Sequence, residues 1–134
     1  MAAFNQYSDY YDLIYQDKNY EQESDYIKRL ITKYGVSCKH ILELGCGTGR
    51  HASYMANQFN IVAIDTSKEM LNYATRYDHL GIRFELGDVR NYRLNKTVDA
   101  VISLFHVASY QTEIQDLKDY FQTARLHLKP GGIF

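Results

Sequence analysis

The stretch "ILELGCGTGRH", residues 41–51, is an apolar run that stops on three alternating glycines, Gly45, Gly47 and Gly49, with an acid, Glu43, just inside it. A buried strand ordinarily ends in a polar turn. Glycines at this spacing permit positive φ and strip the main chain of side chains, so that a ligand can touch backbone. Past such a turn, the first N–H groups of a following helix are open to a negative group. The run therefore predicts a strand, a bare-backbone turn and a helix, with a ligand at the turn.

The elements on either side fit that unit into a larger order. Upstream, 7–16 reads as a short helix and 21–35 as a longer one, with Ile27, Leu30, Ile31 and Tyr34 at 3–4 spacing and Gly35 as the stop. Downstream, 49–59 has helical spacing. Residues 61–65 form a β-branched run ending in Asp65, and 66–77 reads as a helix opened by a Thr66–Glu69 capping box, with Met70, Leu71 and Ala74 inward. Residues 82–88 and 98–105 read as the third and fourth strands. The segment 112–128 reads as a helix opened by Thr112 and Gln115, with a stripe of Ile114, Leu117, Phe121, Ala124 and Leu128. "KPGG" reads as a turn, and Ile133 and Phe134 as the start of a fifth strand. Strands alternating with helices require right-handed crossovers, hence an α/β domain with a parallel sheet covered on both faces. Such sheets bind ligands beyond the strand carboxyl ends, where the winding reverses.

Composition narrows the function. The chain has 134 residues, 46% hydrophobic and 23% charged, which suits one globular domain with a real core. A formal net charge of −1 and no basic run give no electrostatic case for nucleic acid or an anionic membrane. No stretch approaches the ~20 apolar residues of a membrane span. Cys38 and Cys46 form no secretory disulfide framework and read as reduced thiols, which places the protein in the cytoplasm. Neither has metal-ligand spacing with His40, His51, His79 or His127, so no metal is expected. Seven of the thirteen tyrosines lie in the first 34 residues. They suit half-buried helix faces and a lid over a ligand equally well.

Two ligand types compete for the glycine turn. A dinucleotide fingerprint, G-x-G-x-x-G, counted from Gly45 would need glycine at Arg50. Counted from Gly47 it reaches Ala52, the alanine variant, so spacing alone leaves an NAD-type enzyme open. Glu43 decides against it: a carboxylate is unfavourable beside a pyrophosphate and stabilising beside a sulfonium or ammonium.

"ELGCGTGRH" resembles motif I, E/D-x-G-x-G-x-G, of the class I S-adenosylmethionine-dependent methyltransferases, and further motifs follow in order from about Ile41 to the end. The resemblance implies a Rossmann-like domain with S-adenosyl-L-methionine as cofactor. Its binding residues would be Glu43, Gly45, Cys46, Gly47 and Gly49 at the turn, with Asp65 on the ribose hydroxyls, Thr66 beside it and Met70 against adenine. In "GDVRNY" (87–92), Gly87 precedes Asp88, which would take the adenine amino group, and Val89, whose N–H would meet a ring nitrogen. Leu104 belongs to the motif at "VDAVISLFHV" (98–107).

More narrowly, "YYDLIY" (10–15) and "SLFHVASY" (103–110) are similar to the sugar N,N-dimethyltransferases that act on nucleotide-linked amino sugars. That branch closes a tyrosine-bearing N-terminal helix over the cofactor, with Tyr11 or Tyr15 as the counterpart. Tyr110 stands where the branch often carries a histidine. The implied reaction is in-line methyl transfer to a small-molecule amine, an amino sugar among them, or to a hydroxyl. The catalytic residues would be His106, as base, with Tyr110 and Tyr11. Residues 1–38 would form a helical cap on a single domain, 1–134.

The family fold has seven strands, the last two a reversed hairpin. Here about four complete strands and the start of a fifth are expected, with that hairpin lacking. The fourth strand would then be an almost bare edge, which two chains are expected to hide together as a homo-oligomer. A fragment that binds the cofactor, or its demethylated product S-adenosylhomocysteine, without catalysis is the alternative function, with an NAD-type dinucleotide enzyme as the third.

Overall fold

A computed structural model describes residues 15, 16, 18–105 and 107–134. The body of the expected 7–16 helix, Tyr11 and His106 lie outside them. Tyr15 and Gln16 form a turn. The elements are α1 (Tyr20–Tyr34), β1 (His40–Leu44), α2 (Arg50–Met55), β2 (Asn60–Asp65), α3 (Lys68–Ala74), a 3-10 turn (Thr75–Leu80), β3 (Arg83–Leu86), β4 (Val98–Ile102), a second 3-10 turn (Val107–Tyr110), α4 (Ile114–His127) and β5 (Leu128–Ile133).

The strands form one parallel sheet in the order β3-β2-β1-β4-β5. The chain winds outward from β1 through β2 to β3, then crosses back to lay β4 on the other side of β1. The reversal therefore falls between β1 and β4, where the two strand ends splay apart and leave a crevice. Glu43 sits at that seam, in register with Ala63 on one side and Ile102 on the other.

Alternation along the strands sorts the core into two layers. Ile41, Ile61, Ala63, Ala100 and Ile102 meet Ile31 of α1 and Ala52 and Met55 of α2. Leu42, Leu44, Ile64 and Val101 meet Tyr120 and Ala124 of α4. Glu43 and Asp65 share the parity of Ile41 and Ala63, so both belong to the α1–α2 face. The entry to β1 is pinned by Asp99, whose Oδ2 accepts from Lys39 N and His40 N at 2.9 Å each. Those two N–H groups hold its carboxyl at a pKa of about 2.

Several expectations shift. The α3 cap is Ser67, not Thr66: its side chain accepts from Met70 N at 3.2 Å. The helix starts at Lys68, which leaves Thr66 one residue before the cap, in the turn where Ser67 N donates to Asp65 Oδ1. The α4 cap is Glu113, with no side-chain cap bond, so the Thr112–Gln115 box does not form. The buried face of α4 is also rotated. Tyr120, Thr123, Ala124 and His127 face the sheet, while Ile114 and Phe121 are 75% and 51% exposed.

The rotation has a hydrogen-bonding cause. Leu94 N donates to His127 Nε2 at 2.8 Å, which requires the ring proton on Nδ1, where it is given to Thr123 O at 2.7 Å. The Thr123 hydroxyl in turn donates to Asp119 O and accepts from Arg93 Nη1. Satisfied polar groups can thus be buried on a face that an apolar count would assign to solvent. Finally, β4 is not bare on its outer side. Val98 is paired with Leu128 and Ala100 with Ile133, so "KPGG" is a bulge within β5 and β5 is the outermost strand. Beside it, Tyr120, Phe121 and Phe134 stack edge to face at 5.4–5.9 Å.

Candidate functional site

A cleft opens at the carboxyl ends of β1 and β2 and runs beneath the segment that follows β4. Its floor is the glycine turn. Gly45 N and Cys46 N both donate to Ile64 O at 2.9 Å, which folds the turn onto β2. Gly45, Gly47 and Gly49 all have positive φ, at 79°, 57° and 80°, yet they are glycines for different reasons. A Cβ on Gly45 would lie 2.6 Å from Val107 Cγ2, and one on Gly49 would lie 2.9 Å from Phe84 Cζ. A Cβ on Gly47 would meet nothing within 4 Å. Packing accounts for Gly45 and Gly49. At Gly47 the open space belongs to the cleft.

Among the described residues three acids face the cleft, and their surroundings differ. Asp65, at the end of β2, accepts from Gly47 N through Oδ2 and from Ser67 N through Oδ1, each at 2.9 Å. Burial raises its pKa, and those backbone bonds oppose the rise. Asp88 is gripped by Arg90, whose Nη2 lies 2.7 Å from Oδ2 and whose Nε lies 3.0 Å from Oδ1. That pairing lowers the Asp88 pKa. Arg90 also reaches Asp116 of α4 at 3.3 Å. Glu43 is 1% exposed, and its Oε1 has no hydrogen-bond partner among the described residues. Burial first, then the charge of Asp65, pushes its pKa up to about 8. An uncompensated carboxyl this deep costs stability unless something cationic arrives.

The apolar walls come from Met70 of α3, Val89, Leu104 and Val107. Gly87 lets the chain pass Tyr92, since a Cβ there would fall 2.7 Å from the ring. Cys46 also lines the cleft, with its thiol pushed up by burial and by the nearby acids. Such a thiol stays protonated and unreactive.

At the α1 side a polar chain ties the helix to the turn. Lys18 Nζ meets Glu23 Oε2 at 2.6 Å, and Glu23 Oε1 meets His51 Nε2 at 3.2 Å. Burial lowers the His51 pKa, against the pull of Glu23. The Tyr20 ring packs edge-on against His51 at 4.8 Å and carries the Arg50 guanidinium on its face at 4.3 Å. Phe105 takes φ 55°, a left-handed conformation costly for a bulky residue, at the cleft wall. Tyr15 meets its ring edge-on at 4.9 Å, and Lys18 lies 4.1 Å over it.

Of the residues singled out in the sequence, the structure brings to the cleft Glu43, Gly45, Cys46 and Gly47, then Asp65, Thr66 and Met70, then Gly87, Asp88, Val89, Leu104 and Tyr110. Two do not line it. Gly49 is buried under Phe84 and Ala74 as the α2 cap, and Tyr15 stands behind Phe105. Tyr11 and His106 lie outside the described residues. Sequence reasoning missed Tyr20, Arg50, His51, Arg90, Phe105 and Gln111, all of which line the cleft. Arg50 and His51 had a signal, since they follow directly on the glycine turn. Tyr20 had none, because it reaches the site only through the packing of α1.

Comparison with known proteins agrees with this fold. The chain is 30% identical over 130 residues to the dTDP-3-amino-3,4,6-trideoxy-alpha-D-glucopyranose N,N-dimethyltransferase of Streptomyces venezuelae, covering 95% of this chain and 54% of that protein. The crystal structure of Streptomyces venezuelae DesVI superposes with a TM-score of 0.85 at 29% identity, over 93% of this chain and 54% of that one. An S-adenosylmethionine-dependent methyltransferase from Clostridium acetobutylicum gives a TM-score of 0.82 at 30% identity, over 97% and 55%. The chain thus spans about half the length of the relatives it matches. Residues 41–132, from the first residue of the glycine-turn stretch to the second glycine of "KPGG", match the methyltransferase domain family, and the chain belongs to that family.

Proposed function

We propose that the protein binds S-adenosyl-L-methionine in this cleft and that its methyl group passes to an amine of a small molecule, a nucleotide-linked amino sugar being the favoured acceptor. The single observation that carries the binding is Glu43: a buried carboxyl whose Oε1 has no hydrogen-bond partner among the described residues, facing a cleft whose floor at Gly47 is open. A cationic, amino-acid-bearing nucleoside answers both features. The amine acceptor is supported by the N,N-dimethyltransferase at 30% identity.

When bound, the cofactor's sulfonium supplies an electrophilic methyl group. The rest is the work of the chain. Asp65 would hold the ribose hydroxyls with lone pairs that Gly47 and Ser67 leave over. Met70 and Val89 would hold the adenine, and Asp88 would take its amino group. The apolar wall of Leu104 and Val107 keeps water from the reacting end. Holding both partners in line supplies up to ~7–11 kcal/mol of a barrier of this kind. His106 takes the proton of the acceptor. Its chain neighbours Phe105 and Val107 both line the cleft, and a neutral imidazole suits that task near pH 7. Tyr110 orients the acceptor at the rim, and Tyr11, outside the described residues, is the further catalytic candidate.

Calorimetry with S-adenosylmethionine and S-adenosylhomocysteine, beside methyl transfer to a panel of amines read by mass spectrometry, tests the reading. Binding with transfer to amino sugars supports it. Binding without transfer to any acceptor makes the chain a cofactor-binding module. Binding of NADH alone refutes the site. We further infer a cytoplasmic protein, on the strength of its two free thiols, Cys38 and Cys46. Among the described residues no helix is long and apolar enough to cross a membrane. We infer pairing of two chains along the β5 side, where Phe121 and Phe134 are each 51% exposed. Light scattering that finds only monomer at high concentration overturns the pairing.

A further inference from the structure

A second cavity, of about 450 Å³, opens beside α1. It shares His51, Leu104 and Phe105 with the cleft, so these three stand between the two spaces. Of the three side chains, only His51 can accept a proton. It is 7% exposed, and it is held from several sides. Glu23 Oε1 lies 3.2 Å from Nε2, the Tyr20 ring packs edge-on at 4.8 Å, and Ser24 Oγ donates to His51 O at 3.4 Å. Glu23 in turn accepts from Lys18 Nζ on both oxygens, at 2.6 and 2.7 Å. An ionised carboxylate only accepts, which puts the ring proton on Nε2 and leaves the lone pair on Nδ1. Nδ1 has no hydrogen-bond partner among the described residues, and it is not sealed off as Glu43 Oε1 is. A lone pair of the neutral ring is therefore open at the wall between the two spaces.

We propose that an amine acceptor enters through the second cavity and that His51, oriented by Glu23, takes its proton at Nδ1. The proposal rests on the reading of the cleft as the S-adenosylmethionine site, and it adds a second proton acceptor to His106. A small amine arrives near pH 7 as an ammonium, whose nitrogen has no lone pair to offer. One N–H bond must break first: its electrons stay on nitrogen and the proton moves to Nδ1. The freed lone pair then forms the N–C bond as the C–S bond breaks toward sulfur, and the methylated nitrogen keeps the positive charge. Glu23 stabilises the imidazolium, which gives its proton to water in the second cavity. Burial acts first on the ring, and with Lys18 and Arg50 it outweighs Glu23, so the pKa lies below 6.5 and the imidazole is neutral at pH 7. The groups that face the ring are Glu23, Lys18 and Tyr20 from the α1 side and Arg50 from α2, while Leu104 and Phe105 add apolar surface. Farther out, Gln22 brings an amide and Tyr26, 56% exposed, a ring face, which suits an amine on a hydroxylated ring.

The test follows methyl transfer to the best amine of the panel, from about pH 6 to about pH 10, in the parent, His51→Gln, Glu23→Gln and His106→Ala. Near pH 7, His51→Gln is expected to lose about tenfold to a hundredfold in kcat, and Glu23→Gln about tenfold. S-adenosylhomocysteine affinity by calorimetry should stay within about twofold of the parent in both. Above the amine's own pKa, about 8 for an α-amino group, solvent has already removed the proton. Both deficits should therefore shrink to about twofold toward pH ~10, whereas a merely structural role leaves them constant. Should His51→Gln fold poorly, Glu23→Gln carries the test, because 44% of the Glu23 side chain is exposed. Nitrogen NMR of the unliganded parent reads the ring without turnover: the Nε2–H tautomer is expected, and the Nδ1–H tautomer overturns the proposal. Four kinetic results also overturn it: deficits that do not change with pH, no deficit in either variant, cofactor affinity lost in step with kcat, or a pH-dependent deficit in His106→Ala alone. A parent that transfers methyl to no amine is a different failure, and it removes the transfer reading and this proposal with it.

Discussion

Replacing Glu43 with glutamine removes a titrating group while keeping its shape. In the unliganded protein the carboxyl is 1% exposed, and burial with the charge of Asp65 holds its pKa at about 8, against 4.5 for an ordinary glutamate. The folded-state pKa is raised, so the folded protein keeps a proton that the unfolded chain has already released. Stability is then fullest below pH 4.5 and falls as the pH rises toward 8, where it levels. Each pH unit in that interval costs about 1.4 kcal/mol, so at pH 7 the group destabilises the protein by about 3 kcal/mol, to order of magnitude. Urea unfolding of the parent and of Glu43→Gln at pH 5, 6, 7 and 8 reads this directly. The variant should gain on the parent by roughly 1 kcal/mol per unit between pH 5 and 7. Asp65 and Asp88 titrate in both proteins, so the difference between the two profiles isolates Glu43. Parallel profiles would mean that Glu43 is ionised or paired, and the reasoning about its empty oxygen fails. The same carboxyl should ionise when a cation binds. Calorimetry near pH 7 should therefore show proton release to buffer for the parent and little for the variant.

Four further substitutions separate binding from folding. Asp65→Ala should weaken S-adenosylhomocysteine by roughly 1.5–3 kcal/mol by calorimetry, through lost charged hydrogen bonds; unchanged affinity refutes the ribose assignment. Gly47→Val should abolish ligand binding yet cost only about 1–2 kcal/mol of stability, since its positive φ is strained and its Cβ meets nothing. Gly49→Ala should do the reverse, lowering the unfolding midpoint by crowding Phe84 and Ala74, with the surviving folded protein still competent to bind. His127→Ala should cost about 2–4 kcal/mol in urea unfolding, because Leu94 N and Thr123 O both lose their partner; a cost under ~0.5 kcal/mol contradicts the hydrogen-bonded burial of α4.

The parallel sheet and most of the cleft were legible because they rest on local signals: β-branched runs, a glycine turn, an acid in or just past each of the first three strands. What was not legible depends on partners distant in sequence. The face of α4 is chosen by His127 bonding to Leu94, 33 residues away, which no periodicity count contains. Ser67 rather than Thr66 caps α3 because Asp65 turns the chain one residue further. Gly49 reads as a ligand contact from its spacing with Gly45 and Gly47, yet Phe84 of β3 covers it. Tyr20 and Phe105 enter the site by packing.

A crystal of the protein grown with S-adenosylhomocysteine tests the central claim most directly. The nucleoside should run across the strand ends from Gly47 to Asp88, with its ribose within hydrogen-bonding reach of Asp65 and its amino-acid end beside Glu43 and Gly47. A cleft closed by side chains, or a nucleoside seated anywhere else on the molecule, would contradict it.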